Sequence, residues 1–257
     1  MAQTLLIVNW QFLYHHNNIH KGVPTMFTPS RLLAAVVLSS ATAVAVAAPI
    51  APTFTTFSNL AGATYGGSGI PTNPSAITTF DNLTLGLAAT QRYVGPNLGN
   101  DGAGTYFAVP GAAGAPLRTT WNFDYYIHDS QGSFGTDGYT FKLLYDFNPG
   151  VNTDTSQMGV FNFSAFLNAG NTYQDSQNLT FGFLSTPSSY ITPPAGAFNP
   201  LAQGEYSFAL IASQGGVEVA RSAINVDVGV VPEPASLALL GLGMAGLMVA
   251  RRRKQAQ

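Results

Sequence analysis

The chain has 257 residues, of which 46% are hydrophobic, 12% aromatic and 9% charged, with 27 Gly, 16 Pro and no Cys. That composition excludes a charged disordered polymer, and the missing Cys excludes a disulfide framework, thiolate zinc sites, iron–sulfur clusters and a cysteine nucleophile. A formal net charge of −2 leaves no electrostatic footprint for nucleic acid.

From Met26 the sequence reads MFTPSR, then an apolar run from Leu32 to Ala47, then small residues. One cation, Arg31, precedes the run. Ala45-Val46-Ala47 supplies the small-x-small pattern of a signal-peptidase site, with cleavage expected before Ala48. Residues 26–47 are therefore read as a signal peptide, with signal peptidase as the first partner. Residues 1–25 stand in front of it and are read as an upstream extension that is not native to the exported protein. His15, His16 and His20 fall in that extension, which leaves His128 as the single histidine of the exported part.

Residues 48–230 form the exported domain. Four cations (Arg92, Arg118, Lys142, Arg221) face eleven acidic residues there, a net of −7, so the near-neutral total conceals an acidic body. Its first third is loose, with strands expected at Ala76–Phe80 and Leu83–Ala88. The Gly/Ala/Pro-rich stretch from Gly95 to Pro116 reads as a surface loop or a series of edge strands. Beyond it the apolar period is two. Trp121, Phe123, Tyr125 and Ile127 alternate with Asn122, Asp124, Tyr126 and His128. Tyr139, Phe141, Leu143, Tyr145 and Phe147 alternate with Thr140, Lys142, Leu144 and Asp146. Each set is a half-buried strand, and the turn-forming residues from Asp129 to Gly138 suggest that the two form a long-looped hairpin. Phe161, Phe163, Ala165 and Leu167 continue the pattern, as do Leu179, Phe181 and Phe183. Tyr206 to Ala212 and Val217 to Val228 make a second expected hairpin. One-sided strands with short turns predict an all-β domain, an antiparallel β-sandwich of the jelly-roll or Ig-like kind, with a closed barrel as the alternative.

Chemistry is sparse in this body. His128-Asp129 is its single His–carboxylate neighbour pair, with Ser130 and Ser133 close by. Adjacent strand residues point to opposite faces, and Asp124 and His128, on one face, stand about 13 Å apart. No Gly-x-Ser-x-Gly elbow is present. The simpler reading is a solvated histidine at a loop end, and no catalytic residue is assigned. Asp146, Asn148, Asn152 and Asp154 place oxygen side chains around a glycine, as a hard cation such as Ca²⁺ requires. The same residue types make ordinary turns, so calcium is the alternative and no resident metal or cofactor is assigned. Tyr126, on the expected outer face, is a candidate for stacking on sugar rings. Asn82, Asn162 and Asn178 each head an Asn-x-Ser/Thr triplet, read as chance.

The C-terminal segment is more specific. Val231-Pro232-Glu233-Pro234 leads into sixteen uncharged residues, Ala235 to Ala250, followed by Arg251-Arg252-Arg253-Lys254. Sixteen helical residues span about 24 Å, short of an apolar bilayer core of about 30 Å, a mismatch that thinning and snorkelling absorb. The four cations orient this transmembrane helix with its C-terminus cytoplasmic and everything before Val231 outside. Pro232 and Pro234 hold the preceding residues extended, as a processing enzyme's cleft requires.

The Pro-Glu-Pro motif, short apolar helix and terminal Arg cluster, opposite a signal peptide, resemble the PEP-CTERM sorting signal of Gram-negative bacteria. The resemblance is confined to residues 231–254. It implies transient anchoring in the inner membrane, removal of the anchor near the motif by an exosortase, and delivery to the cell surface or outside. It also implies a biofilm or exopolysaccharide setting. The expectation is an exported, non-enzymatic matrix protein. The alternatives are a carbohydrate-binding module and, with no catalytic pair in view, a secreted hydrolase.

Overall fold

The computed structural model describes residues 49–65, 74–92, 98–131, 138–151, 153–163, 166, 170–229 and 244. The signal-peptidase site, the sorting motif and the basic tail lie outside the described residues, as do Ser133 and Asn152. Among the described residues no helix is long and apolar enough to cross a membrane. The span expected over residues 235–250 falls outside them, Met244 excepted.

The described residues form fourteen strands: β1 (Thr56–Ser58), β2 (Ser75–Phe80), β3 (Leu83–Gln91), β4 (Gly99–Asn100), β5 (Thr105–Ala108), β6 (Ala112–Ala113), β7 (Arg118–Thr119), β8 (Trp121–Asp129), β9 (Tyr139–Tyr145), β10 (Gly159–Asn162), β11 (Thr172–Gln177), β12 (Ile191–Thr192), β13 (Gly204–Gln214) and β14 (Val217–Val228). They make a five-stranded sheet ordered β1-β2-β3-β8-β11, a seven-stranded sheet ordered β12-β10-β9-β13-β14-β5-β4, and a small β6-β7 ribbon. All pairings are antiparallel except β14 with β5, which run parallel. Of the strands in the expected loop or edge stretch from Gly95 to Pro116, β4 lies at the sheet edge while β5 lies inside the sheet between β14 and β4, and β5 is joined to β14 through a long path that does not impose a hairpin's direction.

The apolar residues of the two-residue period meet between the sheets. Phe123 of β8 stacks on Phe208 of β13 with ring centroids 4.8 Å apart, and Trp121 lies edge-on to Phe208 at 6.2 Å. Leu85, Leu87, Phe141, Leu143, Tyr206 and Ile224 belong to the same buried cluster. Fully burying one such side chain contributes about 1.5–3 kcal/mol, so this shared core is the main source of stability.

Three expectations about local structure change. First, β8 and β9 do not pair; they lie in different sheets. Both feed one buried cluster from different sheets, an arrangement that alternation alone cannot distinguish from side-by-side pairing. Second, β10 ends at Asn162. Third, Leu179, Phe181 and Phe183 do not form a strand. Asn178 starts a turn, and Gly182–Ser185 is a 3₁₀ helix whose Gly182 carbonyl accepts from the Ser185 and Thr186 hydroxyls at 3.0 and 2.8 Å. The strand is β11, just before it. The β13–β14 hairpin forms as expected, closed by Gly215 and Gly216 at φ 59° and 82°. A two-residue hairpin turn of this kind needs positive φ at both positions, which glycine tolerates best.

The outer faces are also partly covered. Thr53 exchanges backbone hydrogen bonds with Ala223 at 3.0 and 2.7 Å, and the segment around it brings Ile50 onto Leu144, Met158, Ala209 and Ile211. Leu144, expected to face outward, is therefore buried. The chain then passes to the other sheet as β1 and continues over its outer face.

Candidate functional site

That second outer face holds the residues most able to do chemistry. The register places Thr84, Gly86, Ala88 and Thr90 of β3 beside His128, Tyr126, Asp124 and Asn122 of β8, with Thr172, Gln174 and Ser176 of β11 on the far side. Residues 60–65 lie across it. Gln174 pins them: its Oε1 accepts from the Thr64 and Tyr65 backbone N–H groups at 2.7 and 2.9 Å, and its Nε2 donates to the Gly62 carbonyl at 3.3 Å. Leu60 can approach because β3 carries Gly86 there; a Cβ at that position would stand 2.5 Å from Leu60 and 3.3 Å from the Tyr126 Cβ. Tyr126 is buried under this cover. It is not the exposed sugar platform expected from the alternation.

Asp124 is fully buried on the same face, and neither carboxylate oxygen has a hydrogen-bond partner among the described residues. Burial pushes its carboxyl up to about 7. The Ser176 and Thr90 hydroxyls beside it offset part of that penalty without making a well-formed bond to either oxygen. Tyr65 stands nearby with its hydroxyl 2.5 Å from Ser75 Oγ, and burial raises that phenol too.

Asp124, His128 and Asp129 are not brought together as a catalytic set. His128 is partly exposed, its Nδ1 2.9 Å from the Thr172 hydroxyl. Asp129 is buried and used locally, its Oδ1 accepting from Asn82 Nδ2 and from the Gln131 N–H, the latter at 2.9 Å. Asp124 is two side-chain positions away on the strand and closed off from solvent.

The oxygen-rich loop after β9 is built from turns. Asp146 Oδ1 accepts from the Asn148 N–H at 2.7 Å, Asn148 Oδ1 from Gly150 N–H at 3.0 Å, and Asp154 Oδ1 from Ser156 N–H at 2.7 Å. Asp146 itself is buried, and that burial raises its carboxyl above the ordinary range. Its expected outward position on the strand is thus wrong. Each of these three Oδ1 atoms accepts from the backbone two residues on, while Asp146 Oδ2 is buried with no hydrogen-bond partner among the described residues. Among the described residues no group of three His, Cys, Asp or Glu side chains is placed to hold a metal.

A different grouping is formed by residues far apart in sequence. The Arg118 guanidinium lies 5.0 Å from the Phe181 ring centroid, and that of Arg92 lies 5.9 Å from the same ring. Phe181 stacks beside Phe183 at 6.1 Å, and Phe183 is 37% exposed. Asn178 assembles the grouping. Its Nδ2 donates to the Thr119 and Trp121 carbonyls and to Asn122 Oδ1 at 3.0, 3.1 and 2.7 Å. Its Oδ1 accepts from Thr119 N–H, Thr180 N–H and Thr180 Oγ1 at 3.2, 3.2 and 2.6 Å. Sequence reading missed this site because it took Phe181 and Phe183 for strand residues. The available signal was the glycine between them and the run of hydroxyl residues that follows.

A family model described as the PEP-CTERM protein-sorting motif matches residues 230–254. No curated protein and no solved structure matches the chain. The motif supports an exported chain that carries a membrane-anchoring C-terminal sorting signal and is processed by an exosortase.

Proposed function

We propose that this chain is an exported cell-surface or extracellular-matrix protein of structural rather than enzymatic character, associated with exopolysaccharide. Signal peptidase removes residues up to Ala47. The apolar helix at 235–250 holds the protein in the inner membrane with its C-terminus in the cytoplasm, and an exosortase frees the body near Val231-Pro232-Glu233-Pro234. We read the body as a β-sandwich of the jelly-roll or Ig-like kind.

The observation that carries this reading is the match at residues 230–254, which begins two residues after the last described strand. Strand β14 ends at Val228, and Gly229 donates its N–H to the Ala108 carbonyl at 2.8 Å. Cleavage near the motif would therefore separate anchor from body without cutting a strand or removing a core residue. Replacing Pro232, Glu233 and Pro234 together with alanine should leave a full-length, membrane-bound protein and reduce release to background, as read by fractionation and immunoblot. Normal release of that variant would reduce the motif to a linker.

A further inference from the structure

The aromatic residues around the Arg118–Phe181 contact form a continuous surface. Phe161, buried at the end of the core, touches Phe166, Phe183 and Tyr190 with centroid separations of 5.8, 6.0 and 6.1 Å. Phe166 meets Tyr190 edge-on at 4.8 Å. Phe166 and Phe183 are 38% and 37% exposed, and Phe183 continues through Phe181 to the two guanidinium groups. The surface thus runs from exposed rings at one end to cations at the other.

Its charge is the reverse of its surroundings. The exported body has four cations against eleven acidic residues, and two of the four converge on one ring here. Residues 178–199, which supply Phe181, Phe183 and Tyr190, contain no charged side chain. Ser185, Thr186 and Ser188 are exposed beside the rings. Arg118 uses one N–H on the Thr180 carbonyl, at 2.7 Å, which fixes the guanidinium and leaves its other donors for a ligand. A planar guanidinium is suited to a carboxylate, and exposed ring faces are suited to a flat apolar surface.

We propose that this surface binds an anionic polysaccharide, a chain of uronate type, with sugar rings laid on Phe183 and its neighbours and a carboxylate against Arg118. The ligand must combine flat C–H faces, many hydroxyls and a negative charge, and a uronate chain has all three. The inference rests on the reading of the protein as exopolysaccharide-associated and names the chemical class that reading leaves open.

The test is affinity electrophoresis of the full-length chain in detergent, in gels containing polygalacturonate or neutral dextran. Polygalacturonate should retard the protein, less so as NaCl is raised. Phe183→Ser and Arg118→Gln should each weaken retardation about tenfold with unchanged melting temperatures. Should Arg118→Gln lose its fold along with its Thr180 contact, Phe183→Ser, at a surface ring, decides alone. Equal retardation by dextran, insensitive to salt, would overturn the anionic class while leaving saccharide association in place. Retardation by neither polymer would overturn the site, and co-sedimentation of the released protein with its host's matrix would then judge the broader reading separately. A concentration-dependent dimer abolished by Phe183→Ser would mean that a second copy, not a sugar, occupies the surface.

Discussion

Replacing Asp124 with asparagine should leave stability nearly unchanged near pH 4 and raise it by up to about 4 kcal/mol at pH 8. The carboxyl is pushed up to about 7 from an ordinary 3.8, chiefly by burial. A carboxyl with a raised folded-state value makes the native state hold a proton that the unfolded chain has lost. Stability is therefore greatest below the unfolded value, falls as pH rises from about 4 to 7, and is flat above. Asp146, Asp175 and Asp227 are shifted in the same direction, each first through burial. The wild-type curve thus sums several groups. The difference between wild type and Asp124→Asn isolates one of them, because asparagine keeps the shape and removes the ionisation. Urea unfolding of both proteins at pH 4, 6 and 8 reads it directly. A difference that does not grow between pH 4 and pH 8 would show that the carboxylate is solvated or paired in solution.

Asn178→Ala should destabilise the protein by about 3–5 kcal/mol, a large part of a typical 5–15 kcal/mol total. Asn178 is fully buried and bonds the start of β8 to the turn before the 3₁₀ helix. Alanine removes the amide and leaves the Thr119 and Trp121 carbonyls without their donor. Each stranded buried group costs about 1–3 kcal/mol. The same change frees the Thr180 turn, and with it the carbonyl that holds Arg118. Thermal and urea unfolding should show the stability loss, and near-ultraviolet circular dichroism the altered packing around Phe181. A loss under about 1 kcal/mol would mean that water replaces the amide without penalty.

The strands carrying the core were legible because alternation is a local signal. Trp121 to Ile127, Tyr139 to Tyr145, Tyr206 to Ala212 and Val217 to Val228 are strands as expected, though much of each is buried on both faces rather than one, and the Gly215-Gly216 turn is written in the sequence. What alternation does not encode is which strand lies beside which, so β8 and β9 appeared as a hairpin but lie in different sheets, with β8 stacked on β13 across the core. Nor does it show what covers an outer face. Asp124 and Tyr126 lie beneath residues 60–65, more than fifty positions earlier in the chain, and Leu144 beneath Ile50. The aromatic surface was hidden for a related reason. Phe181 and Phe183 keep a strand-like spacing, but Gly182 and the hydroxyls of Ser185 and Thr186 favour a turn. Asn178 and Thr180, which read as a chance glycosylation triplet, are hydrogen-bonded to each other inside the fold. The sorting signal was readable in full because its parts are contiguous and their order carries the meaning.

Export of the folded body, with severance from its anchor beside the Pro-Glu-Pro motif, would fix both ends of the released polypeptide. Intact-mass measurement of the surface-released protein tests it most directly. The expected polypeptide begins at Ala48 and ends near Pro234, lacking the apolar helix and the Arg251–Lys254 cluster. A released form that ends at Gln257 would contradict it.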